Sequence, residues 1–446
     1  MLDIIACPTN ASKRLNQSRN ANPNMYSIAQ SHCWVNDIRH VVVRARLASP
    51  IFDGRMATMI YMDHSATTAV DPRVVAAMAP YWSESYGNPS SLYGLGRRAA
   101  AALEDARSRI SAILNCQHSE IVFTSGGTES DNLALRGIGR AQAARGRKHV
   151  ITTRIEHHAV LHTFADLAEH FGFEVTYVPV DRCGVVDPAS VEASIRTDTA
   201  LISVMAANNE VGTVEPIAEI GAIARQKGIP FHTDAVQAAG YLPLDVNVLN
   251  VDSMALSAHK FYGPKGVGLM YIRRGVKMQP MQTGGDQERG RRSGTENVPL
   301  IVGMAQALEL AQGDRDSSAE RLTVLRRRLA AGVLDRIPDV ELTGHPEQRL
   351  PGHLSLVIRG VEAEGILIAL DLAGVAASSG SACASGSPSP SHVLTAMGFD
   401  SREAFGALRL TLGRENTDAD VDFVIEKLPE IISRMRHMSR LSAAGS

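Results

Sequence analysis

Three short stretches of this chain carry side chains that could act together on an anion and an aromatic ring. The first is SGGTESDN, residues 125–132, directly after the apolar run 121–124. Its paired glycines allow a close backbone turn, Thr128 adds a hydroxyl, and a helix starting there would aim unpaired amides at a phosphate. The second is FHTDAVQ, residues 231–237, which puts Asp234 and Gln237 at the end of an apolar run, with His232 one side-chain alternation before Asp234. A carboxylate there can hold a pyridine nitrogen. The third is SAHKFYGPKG, residues 257–266, with Ser257, His259 and Lys260 ahead of a glycine-proline turn. An amine at Lys260, enclosed in a pocket, can form an imine with an aldehyde, a role arginine cannot fill.

Each stretch alone also has an ordinary structural reading. The first serves as a capped helix after a turn, and it lacks the lysine of a Walker loop and the spacing of a dinucleotide fingerprint. A single aspartate is commonly a cap, and a lone lysine is usually solvated. Taken in order, the phosphate turn, acidic strand end and lysine loop point to pyridoxal 5'-phosphate, whose phosphate, ring nitrogen and carbonyl carbon must be held separately.

A fourth stretch is SGSACASGSPSPSH, residues 379–392. A buried cysteine normally serves as a small hydrophobe, whereas the serines, glycines and prolines around Cys383 read as an exposed loop. The thiol is either open to chemistry or a solvent-facing bystander, and this stretch alone leaves both readings. His392 reads as a base for that thiol or simply as the start of the following helix.

The elements that must position these groups alternate. RAAAALEDARSRISAIL, residues 98–114, has helical spacing, and IVFTSGG, 121–127, reads as a strand entering a glycine turn. Apolar strand candidates follow at 149–153, 174–180, 199–210, 229–236, 251–259 and 266–272, with helices such as 216–228 between several of them. This is the pattern of an α/β domain around a mostly parallel or mixed sheet, with ligands gathered beyond the strand ends. Residues 300–335 form a long helical region that bridges two domains, its arginine run reading as a solvated face. A second α/β pattern follows, with strand candidates 354–360 and 404–413 and a closing helix over 419–438.

Composition excludes several classes. At 446 residues, 44% hydrophobic and 21% charged, the chain is an ordinary globular protein with room for two domains. A net charge of -2 and a pI near 6.7 give no electrostatic basis for direct nucleic-acid binding. Five cysteines at 7, 33, 116, 183 and 383 include no CxxC pair, so neither a disulfide scaffold nor a metal site is expected. No run approaches the about 20 apolar residues of a membrane span, and the N-terminus lacks a secretory pattern, so a cytoplasmic location is expected. The first 55 or so residues differ in composition and read as a tail, a processed segment or an overextended start, with Met56 and Met59 just before the first periodic segment.

The ordered set DHSATT, GNPSS, SGGTESDN, EHHAV, ANNEVG, HTDAVQ, SAHKFYGPKG, QERGRRSGTENV, SSGSACASG and LRLTLGR, spread over residues 60–430, resembles the class-V, fold-type I pyridoxal-phosphate enzymes, and among them the NifS/IscS-type cysteine desulfurases. The resemblance implies a fold-type I α/β transferase. It has an extension over 1–58, a first segment of the small domain over 59–72, a large cofactor domain with a mostly parallel or mixed seven-stranded sheet over 73–315, and a small domain over 316–446. It assigns Lys260 to the cofactor aldehyde, Asp234 to the ring nitrogen, and His157 to the ring face and as a catalytic residue assisting protonation steps. Asn209 and Gln237 fall near the ring oxygen, Thr128, Ser257 and His259 at the phosphate, and Arg409 at the substrate carboxylate, which Asn209 also approaches. Arg409 taken without the family reads equally as a strand-edge salt bridge.

The same resemblance makes Cys383 the acceptor of sulfur from L-cysteine, with L-alanine as the other product. It implies a homodimer, in which Thr295 reaches the phosphate of the other protomer, and an iron-sulfur scaffold or other protein as sulfur acceptor. Tyr93 in GNPSSLYGLG stands where related sequences often have histidine and receives no catalytic role. The alternatives are a selenocysteine lyase or small-amino-acid aminotransferase, and a noncatalytic sulfur-carrier scaffold. The lysine, aspartate, histidine and arginine set argues against the last.

Overall fold

The structure is a computed structural model that describes residues 59–380 and 390–444, with side chains to residue 438. The extension 1–58 and Cys383 lie outside the described residues. The strands are β1 (Ile60–Tyr61), β2 (Ile121–Thr124), β3 (His149–Thr153), β4 (Glu174–Val178), β5 (Thr199–Ser203), β6 (Phe231–Asp234), β7 (Ser253–Ser257), β8 (Gly268–Ile272), β9 (Val340–Leu342), β10 (His353–Ile358), β11 (Val375–Ala376) and β12 (Ala407–Thr411). Seven of them form one sheet in the order β2-β8-β7-β6-β5-β3-β4. β3 pairs in parallel with β4 and β5, and β5, β6 and β7 continue that direction. β8 is antiparallel to both β7 and β2, so it alone runs against the rest. The sheet is therefore mixed, and the carboxyl ends of β2, β3, β5, β6 and β7 open on the same edge.

These strands are apolar because both faces are covered. Ala200, Leu201 and Ile202 of β5 and Met254, Ala255 and Leu256 of β7 are all buried. One cover is helix Gly94–Leu114, which turns Ala99, Ala102, Leu103, Ala106, Ile110 and Leu114 inward at three- and four-residue spacing. It begins four residues before the expected start at 98. The other face is closed by Leu133, Leu135 and Ile138 of helix Gly127–Ala143 together with Val160, Phe164 and Leu167. Each fully buried Leu, Ile or Phe side chain contributes about 1.5–3 kcal/mol of transfer free energy.

A second core surrounds a smaller antiparallel sheet, β12-β10-β9, against which helices Arg315–Arg336 and Asp418–Ala444 pack. The long helical region is broken at Asp314 into Val298–Gly313 and Arg315–Arg336. The arginine run is corrected in one place. Arg326 is buried while Arg327 and Arg328 are exposed, because Leu322, Leu325, Leu329 and Val333 set the inward stripe and Arg326 falls on it. Arg328 instead pairs with Asp418 and Asp422. The strand expected over 404–413 is also shorter. Asp400 and Glu403 form a capping box that starts helix Ser401–Phe405, so the strand begins only at Ala407. Among the described residues no helix is long and apolar enough to cross a membrane.

The N-terminal strand ties the two sheets' surroundings together. β1 pairs with β11, Asp63 bridges to Thr411 of β12, and Thr68 bonds the carbonyl of His259 just beyond β7.

Glu215 is a buried carboxyl that this packing leaves short of partners. Its Oε2 accepts the Val186 amide at 2.9 Å, while Oε1 has no partner. Burial, with help from the Asp181 charge, raises its pKa from 4.5 to about 8. The folded state thus binds more protons than the unfolded state between those values. This contribution to stability is complete below pH 4.5 and is lost as pH rises through 8. Glu215→Gln should therefore gain stability relative to the native protein as pH rises over that window, on the order of a few kcal/mol. Urea midpoints measured from pH 4.5 to 8 check this, and parallel curves for the two proteins would contradict it.

Candidate active site

Thr128, His157, Asp234, Gln237, Ser257, His259 and Lys260 gather at the carboxyl edge of the large sheet. After β2 the chain turns through Gly126 and enters helix Gly127–Ala143, with Thr128 solvent-facing in its first turn. A Cβ at Gly127 would stand 2.7 Å from Val236 Cγ2 and 3.5 Å from Ser257 Cβ, so only glycine lets the helix start lie this close to the ends of β6 and β7. After β3, His157 caps helix His158–Phe171, its Nδ1 accepting the Ala159 amide at 3.1 Å. That bond places the proton of the neutral ring on Nε2.

Asp234 ends β6 and is buried, with Oδ1 accepting the Val236 amide at 2.9 Å. Burial pushes its carboxyl above the ordinary range, and the neighbouring His157 and Lys260 pull it back. Asp131 lies fully buried within bonding distance of His232, 3.2 Å from Nε2, and its carboxyl is held well up by burial and by Asp234. Asp234 is thus a buried acid beside a second one, with His157 and Lys260 as the neighbours that favour its ionised form.

Ser257 closes β7, and a one-turn helix, Ala258–Lys260, carries the next two candidates. Lys260 Nζ donates to the carbonyls of Ser65 at 2.5 Å and Ala66 at 2.8 Å, and Gln237 Nε2 donates to the same Ser65 carbonyl at 3.0 Å. His259 shares a bond of 3.1 Å with Thr67 Oγ1, and burial beside Lys260 and Lys265 lowers its pKa to about 4. It is neutral near pH 7. Two residues on, Tyr262 adopts φ 65°, a left-handed conformation costly for an aromatic residue, fixed by the hydrogen bond its N–H donates to Thr68 Oγ1 at 2.7 Å.

Arg409 is enclosed. Nη2 pairs with Asp63 at 2.7 Å, while Nη1 donates to the carbonyls of Asn209 at 2.8 Å and Gly380 at 3.3 Å. Its buried Nε has no partner. The strand-edge salt bridge is therefore the arrangement observed, with Asn209 brought to Arg409 through its backbone. Thr295 stands apart, exposed between the turn Gln287–Gly290 and helix Val298–Gly313. His392 begins helix His392–Ala396 and bonds the Glu156 carbonyl at 3.0 Å. Tyr93 is exposed at the start of helix Gly94–Leu114.

The two cysteines with described surroundings are poor nucleophiles. Burial pushes the Cys116 thiol to about 12, and Cys183 is raised by burial and Asp181.

Sequence reasoning missed the groups that hold the site together. Ser65 and Ala66 act through backbone carbonyls, which no residue type announces. Asp63 and Glu210 lie inside quoted motifs, yet their partners are 346 and 181 positions away. His353 is buried beneath both, with Nδ1 3.2 Å from Ser65 Oγ and Nε2 3.0 Å from the Glu210 carbonyl. It occupies the space that a Cβ at Gly212 would need, 2.6 Å from its Cγ, and Gly212 has φ 80°. The glycine of ANNEVG is the one local signal of this packing.

The residues present fit pyridoxal 5'-phosphate. A buried carboxyl at the end of β6, oriented by the Val236 amide, suits a protonated ring nitrogen, a helix start flanked by Thr128, Ser257 and a neutral His259 suits a phosphate, and the only lysine at this edge with its amine fixed between two carbonyls among the described residues is Lys260.

Comparison with known proteins agrees. The family model described as aminotransferase class-V matches residues 60–424. The chain is 53% identical over 383 residues to the cysteine desulfurase IscS of Methanosarcina thermophila, covering 86% of this chain and 94% of that protein. It is 50% identical over 388 residues to the IscS of Clostridium botulinum, covering 86% and 97%. Among solved structures, a NifS-like protein superposes with a TM-score of 0.79 at 41% identity, over 84% of this chain and all of that one. The structure of SspA in complex with cysteine gives 0.71 at 35% identity, over 79% and 98%. The mixed seven-stranded sheet is that of a fold-type I pyridoxal-phosphate transferase, and the chain belongs to the class-V aminotransferase family and, within it, to the NifS/IscS-type cysteine desulfurases.

Proposed function

We propose that this protein converts L-cysteine to L-alanine and receives the sulfur as a persulfide on Cys383. The observation that supports it most strongly is the convergence of Asp234, Gln237 and Lys260 at one sheet edge, with Arg409 two residues along the Asp63–Ser65 segment from the Lys260 amine. Asp234 would hold the ring nitrogen, Thr128, Ser257 and His259 the phosphate, and His157 one face of the ring. Bound pyridoxal phosphate supplies an electron-poor ring that stores the charge left when the substrate loses its α proton. Lys260 anchors the cofactor and then moves that proton. Arg409 receives the substrate carboxylate. Its contact to Gly380 is the longest of the three, so the Gly380 carbonyl is the partner most readily displaced.

The Cys383 thiolate attacks the sulfur of L-cysteine. A sulfur-sulfur bond forms, the carbon-sulfur bond breaks with its electrons on carbon, and a proton completes the methyl group of alanine. The persulfide then passes to an acceptor protein, with an iron-sulfur scaffold as the partner class. Exposure of Thr295 suits a role across a homodimer.

Incubation of the holoenzyme with one equivalent of L-cysteine per protomer, without added reductant, should yield one alanine per protomer and a Cys383 peptide heavier by one sulfur atom. Sulfide should appear only on reduction. Alanine formed with no added sulfur on that peptide would reject Cys383 as acceptor.

A further inference from the structure

The chemistry assigned above leaves one fully buried acid without a task. Asp131 and His232 are 1% and 0% exposed, and Asp131 Oδ1 lies 3.2 Å from His232 Nε2. The Nδ1 of the same imidazole lies 3.2 Å from Oγ of Ser253, its register partner on β7. Burial lowers the His232 pKa to about 3, so the ring is neutral near pH 7. The helix that carries Asp131 turns Leu133, Leu135 and Ile138 into the core. An apolar residue at 131 would avoid the desolvation of a buried polar pair, but it would give no directional bond.

The pair lies between the two ends of the site. Asp131 stands one turn after Thr128 on helix Gly127–Ala143. His232 stands two residues before Asp234 on β6, hence on the same face of the strand. Thr128 belongs to the phosphate end of the proposed cofactor site and Asp234 to the ring-nitrogen end. The Asp131–His232 bond thus joins the two elements that would hold opposite ends of one rigid molecule. We infer that Asp131 and His232 are positioning residues whose bond fixes the distance between the phosphate site and Asp234. This inference rests on pyridoxal 5'-phosphate being the cofactor.

The physical basis is effective concentration. A ligand held at two points gains from the second only when the spacing of the sites matches its own length, and a misfit of about 1 Å forfeits much of that gain. Apolar packing tolerates small shifts of a helix on a sheet, whereas a buried hydrogen bond of fixed direction does not.

The test titrates cofactor-free native protein and three variants with pyridoxal 5'-phosphate and with pyridoxal, following the absorbance of the bound aldehyde. Pyridoxal lacks the phosphate and so engages only the Asp234 and Lys260 end. Asp131→Leu removes the bond from the helix side. His232→Asn removes it from the strand side, because the shorter amide keeps the position of Nδ1 beside Ser253 and loses that of Nε2. Asp131→Asn keeps the bond, since an amide donates to Nε2 or accepts from it. Both bond-breaking variants should bind pyridoxal 5'-phosphate more weakly by on the order of tenfold to a hundredfold, while their affinity for pyridoxal holds within about twofold of native. Asp131→Asn should match the native protein with both probes.

Equal weakening for both probes would make the pair a general structural element and overturn the proposal. Native affinity for pyridoxal 5'-phosphate in either bond-breaking variant would overturn it too, and each variant decides alone if the other does not fold. A loss in Asp131→Asn as large as in Asp131→Leu would place the effect in the acid, not in the bond, with the same result. Native protein that gives no bound-aldehyde absorbance with pyridoxal 5'-phosphate marks a different failure. The cofactor assignment itself is then wrong, and the positioning role falls with it.

Discussion

Lys260→Ala lowers kcat for L-cysteine by roughly 10⁴-fold or more, the scale on which loss of a covalently acting group is felt. The residue ends the one-turn helix after β7, and its amine is aimed by the Ser65 and Ala66 carbonyls. Alanine keeps the backbone of that turn, where the Phe261 amide bonds the Ala258 carbonyl, and Gln237 still satisfies Ser65. The variant should therefore fold and still take up pyridoxal phosphate without the absorbance of an imine. Lys260→Arg should not rescue it, because a guanidinium stays protonated and is no nucleophile. Absorbance spectra and alanine release read both effects. Turnover by Lys260→Ala within about tenfold of native would remove the lysine from the chemistry.

Cys383→Ser should release sulfide at a rate lower by on the order of 10³-fold or more, because a hydroxyl neither ionises near neutrality nor accepts sulfur. The spectrum of the bound cofactor should be native. No described cysteine can stand in, since Cys116 ionises only near 12 and Cys183 is also raised. Native-like sulfide release by the serine variant would mean that free thiols or another residue accept the sulfur.

Local pattern carried much of the architecture. The stretches at 149–153 and 266–272 contain β3 and β8, and helix Ile217–Lys227 lies within 216–228, because apolar periodicity and glycine stops act over a few residues. The same locality explains the errors. Residues 404–413 read as one run apart from Arg409 and Thr411, and only the Asp400–Glu403 box shows that their first two residues finish a helix. Arg326 has the same residue type as its exposed neighbours, and a single rotation of 100° on the helix carries it inward. At the site, type and order picked out the stretches holding Thr128, Asp234, Gln237, Ser257, His259 and Lys260, which meet at one sheet edge, whereas the roles of His157, Asn209, Arg409 and Cys383 came only from the family resemblance and the supports were not legible at all. Asp63 meets Arg409 across 346 positions and Glu210 meets Ser391 across 181, and no local rule reaches that far.

That separation has a consequence for biosynthesis. The carbonyls that aim Lys260 belong to a segment whose neighbours, β11 and β12, are made only after every strand of the large sheet. While the ribosome is still extending the chain, the large sheet can close, yet Asp63 has no arginine and β1 no partner strand. The segment that presents Ser65 and Ala66 is then unanchored on that side. Cofactor capture in a competent geometry is thus deferred until β11 and β12 have been made, and a nascent chain stalled before Ala407 would hold a formed sheet with an unassembled reactive lysine.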